Sequence, residues 1–535
     1  MSNRKFFFLL FSALAVHVLN LRLDVMEVDA AQYAEMSWEM FTTKSYLQIF
    51  CLGTPYLDKP PLLFWLNSLS FSDFGISNFS YKFPSFLFAV LGVYSTYRFT
   101  KIFYTENIAR YATVMLATSQ AMFLITNDVR TDTLLMGAVI FSIWQWTEFF
   151  QTSKTKNLLL GSAGVALALL AKGPIGLMVV GAAILPHLIL KKEGKKISDW
   201  RILVGVVVIG IFLLPMCIGL YQQWGMKGLK FYFWTQSFGR ITGESEWKNN
   251  PDKIFLLHST AWGMLPWAVF FFAGWVKSGI DLVKKKFPVE IISFSGFTLI
   301  LIALSLSKFQ LPHYIFVVFP LAAVIAAKHF SDVLQNEKQQ KTFFVVHVIV
   351  VALLLVVTAF LQWSFGEESN RVLVTAAFLL LLVVSGLLLR KNLFLGLSIT
   401  ILYINSLLTV FYFPAILNYQ PQNDFGRYIK EHIRSDNNFI CYHFTLDFST
   451  AFYAQHLPYK MFYNAGDLKQ TLEEKKELII ITTDYGLQQM NENKIPYTLI
   501  EERKRFMVTK PNLSFLNRYL RNGISENVFL AEIKK

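Results

Sequence analysis

The sequence is poor in charged residues and in cysteine. Only 16% of its 535 residues are Asp, Glu, Lys or Arg, whereas 54% are hydrophobic. Water-soluble domains draw about a quarter of their residues from the four charged types. Its three cysteines (Cys51, Cys217 and Cys441) form no CxxC pair, which excludes a disulfide framework and a thiolate zinc site. The composition therefore indicates an integral membrane protein.

Signatures of soluble enzymes are also lacking, since the sequence contains no GxGxxG, GxxxxGK[ST], HExxH or GxSxG. The formal charge of +14 does not point to nucleic acid, because residues 414–535 carry a net charge of only +2. The excess lies in the hydrophobic part, where it is a topology signal: cytoplasmic loops collect Lys and Arg. We expect no nucleic-acid partner.

Long apolar runs dominate residues 1–413. A helix needs about 20 mostly apolar residues to cross the hydrocarbon core, and by this measure the sequence predicts thirteen transmembrane helices. They lie at residues 6–21, 83–100, 108–126, 133–150, 157–171, 174–190, 202–221, 256–275, 288–306, 311–327, 342–363, 372–389 and 392–413. The predicted fold class is an α-helical polytopic membrane protein.

Positive charges favour a cytoplasmic N-terminus. In that orientation every inside segment holds at least two Lys or Arg, the last pair being Arg390 and Lys391. An odd number of spans then places the C-terminus outside. The first run has an alternative as a cleaved signal peptide, but its apolar stretch continues past Ala13-Leu14-Ala15 to Leu21, which favours an uncleaved anchor.

Two outer segments, 22–82 and 222–255, are too long for simple connectors, and long loops are commonly functional. In the first, Tyr33, Met36 and Met40 recur at helical spacing with Gln32, Glu35 and Glu39 on the other side. This pattern predicts a helix on the membrane surface. The apolar stretch 62–66 predicts a second, half-embedded element.

The composition changes after Pro414. Short strands are predicted at 439–444, 461–463 and 478–482, with helices at 468–476 and 485–494. We therefore expect two domains, a transmembrane domain over 1–413 and a small soluble α/β domain over 414–535 on the outer face.

The segment Tyr56-Leu57-Asp58-Lys59-Pro60-Pro61-Leu62 is the sharpest chemical signal. Two consecutive prolines hold the chain extended, so the Lys59 ammonium is presented from a stiff backbone, and lysine is a suitable point charge for phosphate. The alternative is a stiffened turn with a lysine that reaches into the headgroup region.

Other charged residues stand at the outer ends of spans, where charges are costly unless paired or functional. Asp29 opens the surface helix, and a cap is its alternative role. Arg130 and Asp132 lie between the third and fourth spans, where a capped hairpin is the alternative. Arg240 lies between glycines in the second long loop and suits bidentate phosphate contact. Lys308, His313 and Tyr314 start the tenth span, although Lys and Tyr are also common interface anchors.

These motifs resemble a known family. The quoted runs are Asp29…Tyr33-Ala34…Met40, Tyr56–Trp65, Arg130-Thr131-Asp132, Lys172-Gly173-Pro174 and Ser307-Lys308…Tyr314. They are similar to the aminoarabinose transferase branch of the polyprenyl-phosphate-sugar glycosyltransferases, relatives of the protein O-mannosyltransferases. The likeness covers residues 1 to about 413, and the KPPL segment with its spacing from Asp29 is its most specific part.

The resemblance implies a GT-C fold of thirteen membrane helices with surface helices in the first outer loop, in a bacterial inner membrane. It implies an inverting glycosyltransferase that moves a sugar from undecaprenyl phosphate or a similar carrier to lipid A, another glycolipid or a protein. By position, Asp29 and Asp132 are implied as catalytic residues. Lys59, Arg240, Lys308 and Tyr314 are implied as donor-phosphate contacts, with Asp58, Tyr33, Arg130 and His313 in support.

The sequence departs from the family pattern at Ala30 and Gln32, which stand where an acid and an arginine are usual. Some relatives hold a metal near the acid before the KPP motif, which makes Asp58 a conceivable ligand for a divalent ion. Some relatives also have a histidine after the position of Arg240, where Glu244 and Glu246 stand here. Because that histidine partner has no assigned counterpart, we predict that no metal or other cofactor is required.

Two other classes are open on the sequence alone, a flippase or transporter of lipid-linked saccharides and a non-catalytic envelope protein that binds lipid-linked sugar. Transporters place polar residues near the middle of the membrane. Here the candidates cluster at the outer ends of spans, which favours the transferase.

Overall fold

The structure is a computed structural model. The structure describes residues 1–236, 239, 249, 252–366, 371–433, 438–445, 447–458, 460–475 and 477–534. Within these residues the chain is mostly helical, as predicted, with one five-stranded sheet near the C-terminus.

The helices of the N-terminal half follow the predicted apolar runs. They are α1 (Asn3–Asn20), α2 (Asp29–Thr43), α3 (Leu62–Phe74), α4 (Asn78–Phe103), α5 (Glu106–Ala117), α6 (Gln120–Asn127), α7 (Thr131–Thr152), α8 (Thr155–Lys172), α9 (Ile175–Leu190), α10 (Arg201–Trp224) and α11 (Met226–Lys230). Further along the bundle are α12 (Phe255–Gly263), α13 (Ala268–Val283), α14 (Ile292–Ser305), α15 (Phe319–Val333), α16 (Glu337–Phe365), α17 (Arg371–Lys391) and α18 (Leu393–Leu407).

Five helical stretches in the described part of the chain are long and apolar enough to cross a membrane, or six if the bent pair α5–α6 is counted as one span. That pair bends by 48° where Ser119 begins a new helix by accepting a hydrogen bond from Met122 N at 3.4 Å. A second predicted span, 256–275, is divided between α12 and α13 around Leu265-Pro266. Proline has no N–H to continue a helix, so this break is local in origin.

The first outer segment contains the two predicted surface helices, α2 and α3, joined by a hairpin of β1 (Phe50–Cys51) and β2 (Thr54–Pro55). A helix lying on the membrane surface would expose Glu35 and Glu39. In the structure both are buried, because the hairpin covers them. Glu35 Oε1 accepts from Leu52 N at 3.1 Å, and the Glu39 carboxylate accepts from Gly53 N at 3.2 Å. Burial, together with the Glu39 carboxylate, raises the pKa of Glu35.

The C-terminal sheet has the strand order β4-β3-β5-β7-β6. Its strands are β3 (Phe439–Tyr442), β4 (Lys460–Phe462), β5 (Glu477–Thr483), β6 (Thr498–Arg505) and β7 (Glu526–Lys534). The accompanying helices are α19 (Phe413–Leu417), α20 (Gln422–His432), α21 (Phe448–Ala454), α22 (Ala465–Glu474), α23 (Asp484–Glu492), α24 (Leu513–Leu516) and α25 (Arg521–Ile524). Strands β3, β4 and β5 pair in parallel, whereas β7 pairs antiparallel with β5 and β6.

Residues of the C-terminal part pack directly on the first outer segment. Tyr453 OH accepts from Val25 N at 2.9 Å and contacts Asn78 Oδ1 at 2.6 Å. Glu27 N donates to Gln420 Oε1, and Glu27 Oε1 accepts from Val508 N, both at 2.9 Å. The backbone just before α2 is therefore held by residues some 400 positions later in the sequence.

Candidate active site

One cavity of about 290 Å³ collects most of the residues singled out in the sequence. Its polar side is formed by the start of α2, the turn before α3, the start of α7 and the 3₁₀ turn Pro312–Val318. Its apolar side is formed by α7, α9 and α14. Asp29, Tyr33, Asp58, Lys59, Asp132, His313 and Tyr314 all line it. The structure thus brings together residues from segments that lie far apart in the sequence.

Asp29 lies in the first turn of α2 and is held by Arg130. Arg130 Nη1 donates to Asp29 Oδ2, and Arg130 Nε donates to Asp128 Oδ2 at 2.8 Å. Arg130 precedes α7 in extended conformation, so its planar guanidinium bridges two acids from different segments. Burial raises the pKa of Asp128, against the opposing effect of Arg130. The fork fixes the Asp29 carboxylate at the cavity wall.

Asp132 lies one residue into α7 and is almost fully buried, at 3% exposure. Lys172 Nζ, at the end of α8, donates to its Oδ1 at 2.5 Å. His313 Nε2 lies 3.7 Å from Asp132 Oδ2. The Lys172 ammonium also lies 4.2 Å from the centre of the Tyr314 ring, an electrostatically favourable arrangement. Four residues from three segments thus form one charged cluster.

Lys59 lies in the turn before α3, and its Nζ contacts Asp58 Oδ2. The side chain of Lys59 is 17% exposed. The backbone of the same turn is tied to the second outer segment, because Gln236 Nε2 donates to the Asp58 carbonyl oxygen. Lys59 lines the cavity from this turn, and its contact with a donor phosphate stays a prediction.

Among the described residues, each acid that lines the cavity is matched by a cation. Arg130 pairs with Asp29, Lys59 with Asp58, and Lys172 with Asp132. Opposite these pairs stand apolar side chains, which include Leu135, Ile175, Met178 and Leu304. A cavity with one charged end and one apolar wall suits an amphiphilic ligand with an anionic headgroup.

Lys308 is placed differently from the candidates at the cavity. Lys308 is exposed and does not line the cavity, although its neighbours Ser307 and Phe309 do. Arg240 lies outside the described residues, together with most of the loop around it. Their roles as donor-phosphate contacts stay predictions.

Sequence reasoning assigned no role to Lys172 or Gln236. Lys172 stands in the Lys172-Gly173-Pro174 motif, whose glycine adopts φ 83° and ends α8. A lysine that closes an apolar helix at its predicted outer end is the signal that was available. Gln236 has no comparable signal, because its contact with the Asp58 backbone depends on the tertiary fold.

The described residues around Asp58 do not supply a metal site. No group of three His, Cys, Asp or Glu side chains gathers anywhere in the part of the chain the structure describes, and the Asp58 carboxylate contacts the Lys59 ammonium. An ammonium competes with a metal ion for the same oxygens, so the donor set does not fit.

The known proteins that this chain resembles include a mannosyltransferase family and arabinosyl transferases. The family model for dolichyl-phosphate-mannose-protein mannosyltransferase matches residues 58–218. The undecaprenyl phosphate-α-4-amino-4-deoxy-L-arabinose arabinosyl transferase of Wigglesworthia glossinidia brevipalpis is 26% identical over 345 residues, 60% of this chain and 57% of that protein. Its Proteus mirabilis counterpart, transferase 2, is 24% identical over 336 residues, 60% of this chain and 58% of that one. The resemblance predicted from the sequence is confirmed.

Solved structures extend the likeness to the whole chain. ArnT from Cupriavidus metallidurans, bound to undecaprenyl phosphate, superposes with a TM-score of 0.74 at 17% identity, covering 99% of this chain and 98% of that one. The Archaeoglobus fulgidus oligosaccharyltransferase gives 0.51 at 11% identity, covering 89% and 69%. The chain therefore has the fold of these transferases. Sequence similarity, by contrast, spans less than two thirds of the matched arabinosyl transferases.

Proposed function

We propose that the protein is an inverting glycosyltransferase that moves a sugar from undecaprenyl phosphate, or a similar polyprenyl phosphate, to an acceptor on the outer face of a bacterial inner membrane. The observation that carries the proposal is the single cavity in which three acid–base pairs face an apolar wall of α7, α9 and α14. Such a carrier has an anionic phosphate and an apolar polyprenyl chain. The cavity offers cations for the first and an apolar wall for the second. The matched arabinosyl transferases, whose names specify an undecaprenyl phosphate donor, support this choice.

In the proposed reaction an acceptor oxygen attacks the anomeric carbon in line, the bond from that carbon to the phosphate oxygen breaks, and the configuration inverts. The departing phosphate gains negative charge. Lys59, Lys172 and the Tyr314 hydroxyl, all at the cavity, would stabilise that charge more strongly in the transition state than in the ground state. Lys59 and Lys172 already bind carboxylates, so on donor binding each ammonium would exchange its carboxylate for the phosphate.

Asp29 is the proposed general base. If the acceptor is a hydroxyl, its carboxylate takes the acceptor proton, a role that typically contributes about 10²–10⁴-fold in rate. If the acceptor is an anionic phosphate, no base is needed, and Asp29 positions the acceptor or stabilises the oxocarbenium-like sugar. Asp132 would act through Lys172 and His313, holding the donor side of the cavity in place.

The membrane arrangement is part of the proposal. We propose thirteen transmembrane helices with the N-terminus in the cytoplasm, a transmembrane domain over 1–413 and a periplasmic α/β domain over 414–535. Positive charge on the predicted inner loops supports the orientation. Lipid A, another glycolipid or a protein is the proposed acceptor.

The test is transfer itself. Purified protein in lipid nanodiscs is incubated with a radiolabelled undecaprenyl-phosphate aminosugar and with lipid A, and label is followed from the carrier to the acceptor. We expect label to leave the carrier only when acceptor is present. A transporter would move labelled lipid between the leaflets of proteoliposomes without cleaving it, and a binding protein would retain it; either result would contradict the proposal.

A matched pair of variants ties the activity to the cavity. Asp29→Asn removes the charged group at the cavity, and Asp73→Asn makes the same change at an exposed position of α3 in the same outer segment. Loss of transfer in the first and full transfer in the second would assign the reaction to this site.

A further inference from the structure

A second cavity, of about 660 Å³, lies where the ends of α1, α15, α16, α17 and α18 meet. Helix α1 begins at this cavity and ends at Asn20, whose carbonyl oxygen accepts from Lys82 Nζ at 3.2 Å beneath the first outer segment. Its 18 residues span about 27 Å at about 1.5 Å per residue. That is close to the thickness of the hydrocarbon core, so in the proposed topology the two cavities lie at opposite faces of the membrane.

The rim of this second cavity is cationic. Lys5, Lys341, Arg390 and Lys391 all line it. Among the residues that the structure describes, none of these four forms an ion pair with a carboxylate. Two acids on helices that line the cavity are engaged elsewhere: Glu106 binds Lys101 and Arg110, and Asp332 binds Lys277 and Lys328. Glu337 is exposed and does not line the cavity.

The dipoles of the helix ends add little to the net electrostatic potential of this cavity. The positive N-terminal end of α18, capped by Asn392, lies at the cavity, but so does the negative C-terminal end of α17. The side-chain cations therefore decide the charge of the site, and four uncompensated cations at one rim favour an anion.

The floor and flank of the cavity are apolar. Leu9, Phe330 and Phe394 are buried at its base. Val345, on the wall formed by α16, is 58% exposed, and Ile349, one turn further along, is 56% exposed. In the proposed topology this exposed apolar side of α16 faces lipid, next to the cavity. A free anion would use only the rim, whereas a phospholipid would fill both parts.

We propose that this cavity, the basic cavity, binds the headgroup of an anionic phospholipid, with its phosphate among Lys5, Lys341, Arg390 and Lys391 and an acyl chain along α16. Basic pockets between membrane helices on the cytoplasmic side are suited to such headgroups. The site is separate from the candidate active site, and its occupant is a structural lipid rather than the sugar donor.

Native mass spectrometry of the detergent-purified protein tests this directly. The protein is titrated with dioleoyl phosphatidylglycerol, and dioleoyl phosphatidylethanolamine serves as the zwitterionic comparison. The variant Lys341→Gln/Arg390→Gln/Lys391→Gln removes three rim cations. The control Lys284→Gln/Lys285→Gln/Lys286→Gln removes three exposed cations of the loop after α13, which do not line the cavity.

We expect wild type and control to bind phosphatidylglycerol alike, and the rim variant to bind it at least about tenfold more weakly, since each cation near a membrane surface contributes about 1 kcal/mol. Equal binding by the rim variant, or equal binding of phosphatidylethanolamine by wild type, would overturn the proposal. Displacement by equimolar glycerol 3-phosphate would also overturn it, because the site would then recognise a free phosphate.

Thermal unfolding tests whether the rim variant is correctly folded. Without added lipid, the rim variant should elute and unfold like wild type. Added phosphatidylglycerol should then raise the unfolding temperature of wild type and control but not of the rim variant, since a ligand stabilises only the state that binds it. If the triple variant does not fold, the single variant Lys341→Gln takes its place, and an unchanged affinity in that variant counts against the site.

Discussion

Arg130 Nη1 donates a hydrogen bond to Asp29 Oδ2 across 101 positions of the sequence. The same guanidinium holds Asp128 through Nε at 2.8 Å. One side chain thus joins the start of α2 to the junction of α6 and α7. The proposed base is oriented by a residue of another segment, which makes its geometry a property of the tertiary fold.

Replacing Asp29 by Asn separates the two acceptor chemistries. If Asp29 removes a proton from a hydroxyl acceptor, transfer should fall by about 10²–10⁴-fold, because the amide cannot act as a base. If it only positions the acceptor, appreciable turnover should survive. The rate is measured as label released from the carrier, with Asp73→Asn as the control.

Replacing Lys59 by Met should abolish most transfer while the protein inserts and folds. The ammonium is proposed to meet the phosphate as charge develops, and loss of one preorganised donor of this kind costs about 10²–10³-fold. Lys44→Met is the matched control, since Lys44 is exposed in the same outer segment and does not line the cavity. Wild-type transfer by Lys59→Met would remove the donor-phosphate assignment.

Lys172 should matter for both stability and catalysis. Lys172→Met leaves the nearly buried Asp132 carboxylate without its ammonium partner, and breaking a buried ion pair costs about 3–5 kcal/mol. Adding Asp132→Asn should recover much of the stability, because the uncompensated charge is gone, yet it should not restore transfer. Unfolding midpoints and transfer rates of both single variants and the double variant complete the cycle.

Lys156→Met is the control for that cycle, since Lys156 is exposed near the opposite end of α8. Full transfer by the double variant would show that the pair is structural only, with no part in binding the donor.

Glu27 should make the contact with the C-terminal part sensitive to pH. Burial raises the pKa of Glu27 to about 7, with the Asp447 carboxylate acting in the same direction and Arg505 and the Val508 N–H opposing it. Since the folded-state pKa exceeds the ordinary value of 4.5, the associated stability is complete below about 4.5 and is lost as the pH rises through about 7. The full effect corresponds to about 3 kcal/mol.

The measurement is the thermal midpoint at pH 5 and at pH 8. Glu27→Gln should reduce the difference between the two values, because the amide stays neutral at both. Glu473→Gln, an exposed acid of α22, should leave the wild-type difference unchanged. A Glu27→Gln profile parallel to wild type would contradict the linkage.

Metal removal should not affect transfer. The described residues near Asp58 do not form a metal site, and Asp58 contacts Lys59. Protein dialysed against EDTA should therefore keep its rate. A loss that is reversed by adding zinc or magnesium would show that a metal is required.

The sequence predicts the helical character and the main elements of the site. Three site residues have a local signal in the sequence. Asp29 lies in the first turn of a helix, Lys59 precedes a double proline, and Asp132 lies in the first turn of a helix that follows an arginine. These signals depend on neighbours in the chain, so one sequence is enough to reveal them. The confirmed family resemblance rests on the same segments.

What the sequence does not predict depends on distant contacts. The helical spacing of α2 places Glu35 and Glu39 on a polar side, but the hairpin turn at Leu52 and Gly53 covers both. The edge strand β6 escapes prediction because its sequence is largely charged, as edge strands often are. The partnership of Lys172 with Asp132 spans 40 positions and follows only from the packing of α7 on α8.

The contacts of Glu27 with Gln420 and Val508 have a consequence for the order of synthesis. A ribosome makes Gln420 and Val508, respectively, 393 and 481 residues after Glu27, which lies in the segment that carries Asp29. While the chain is still being threaded into the bilayer, this segment lacks the partners that fix it. In the proposed topology, the transferase site would therefore be complete only after the residues around Gln420 and Val508 have reached the outer face.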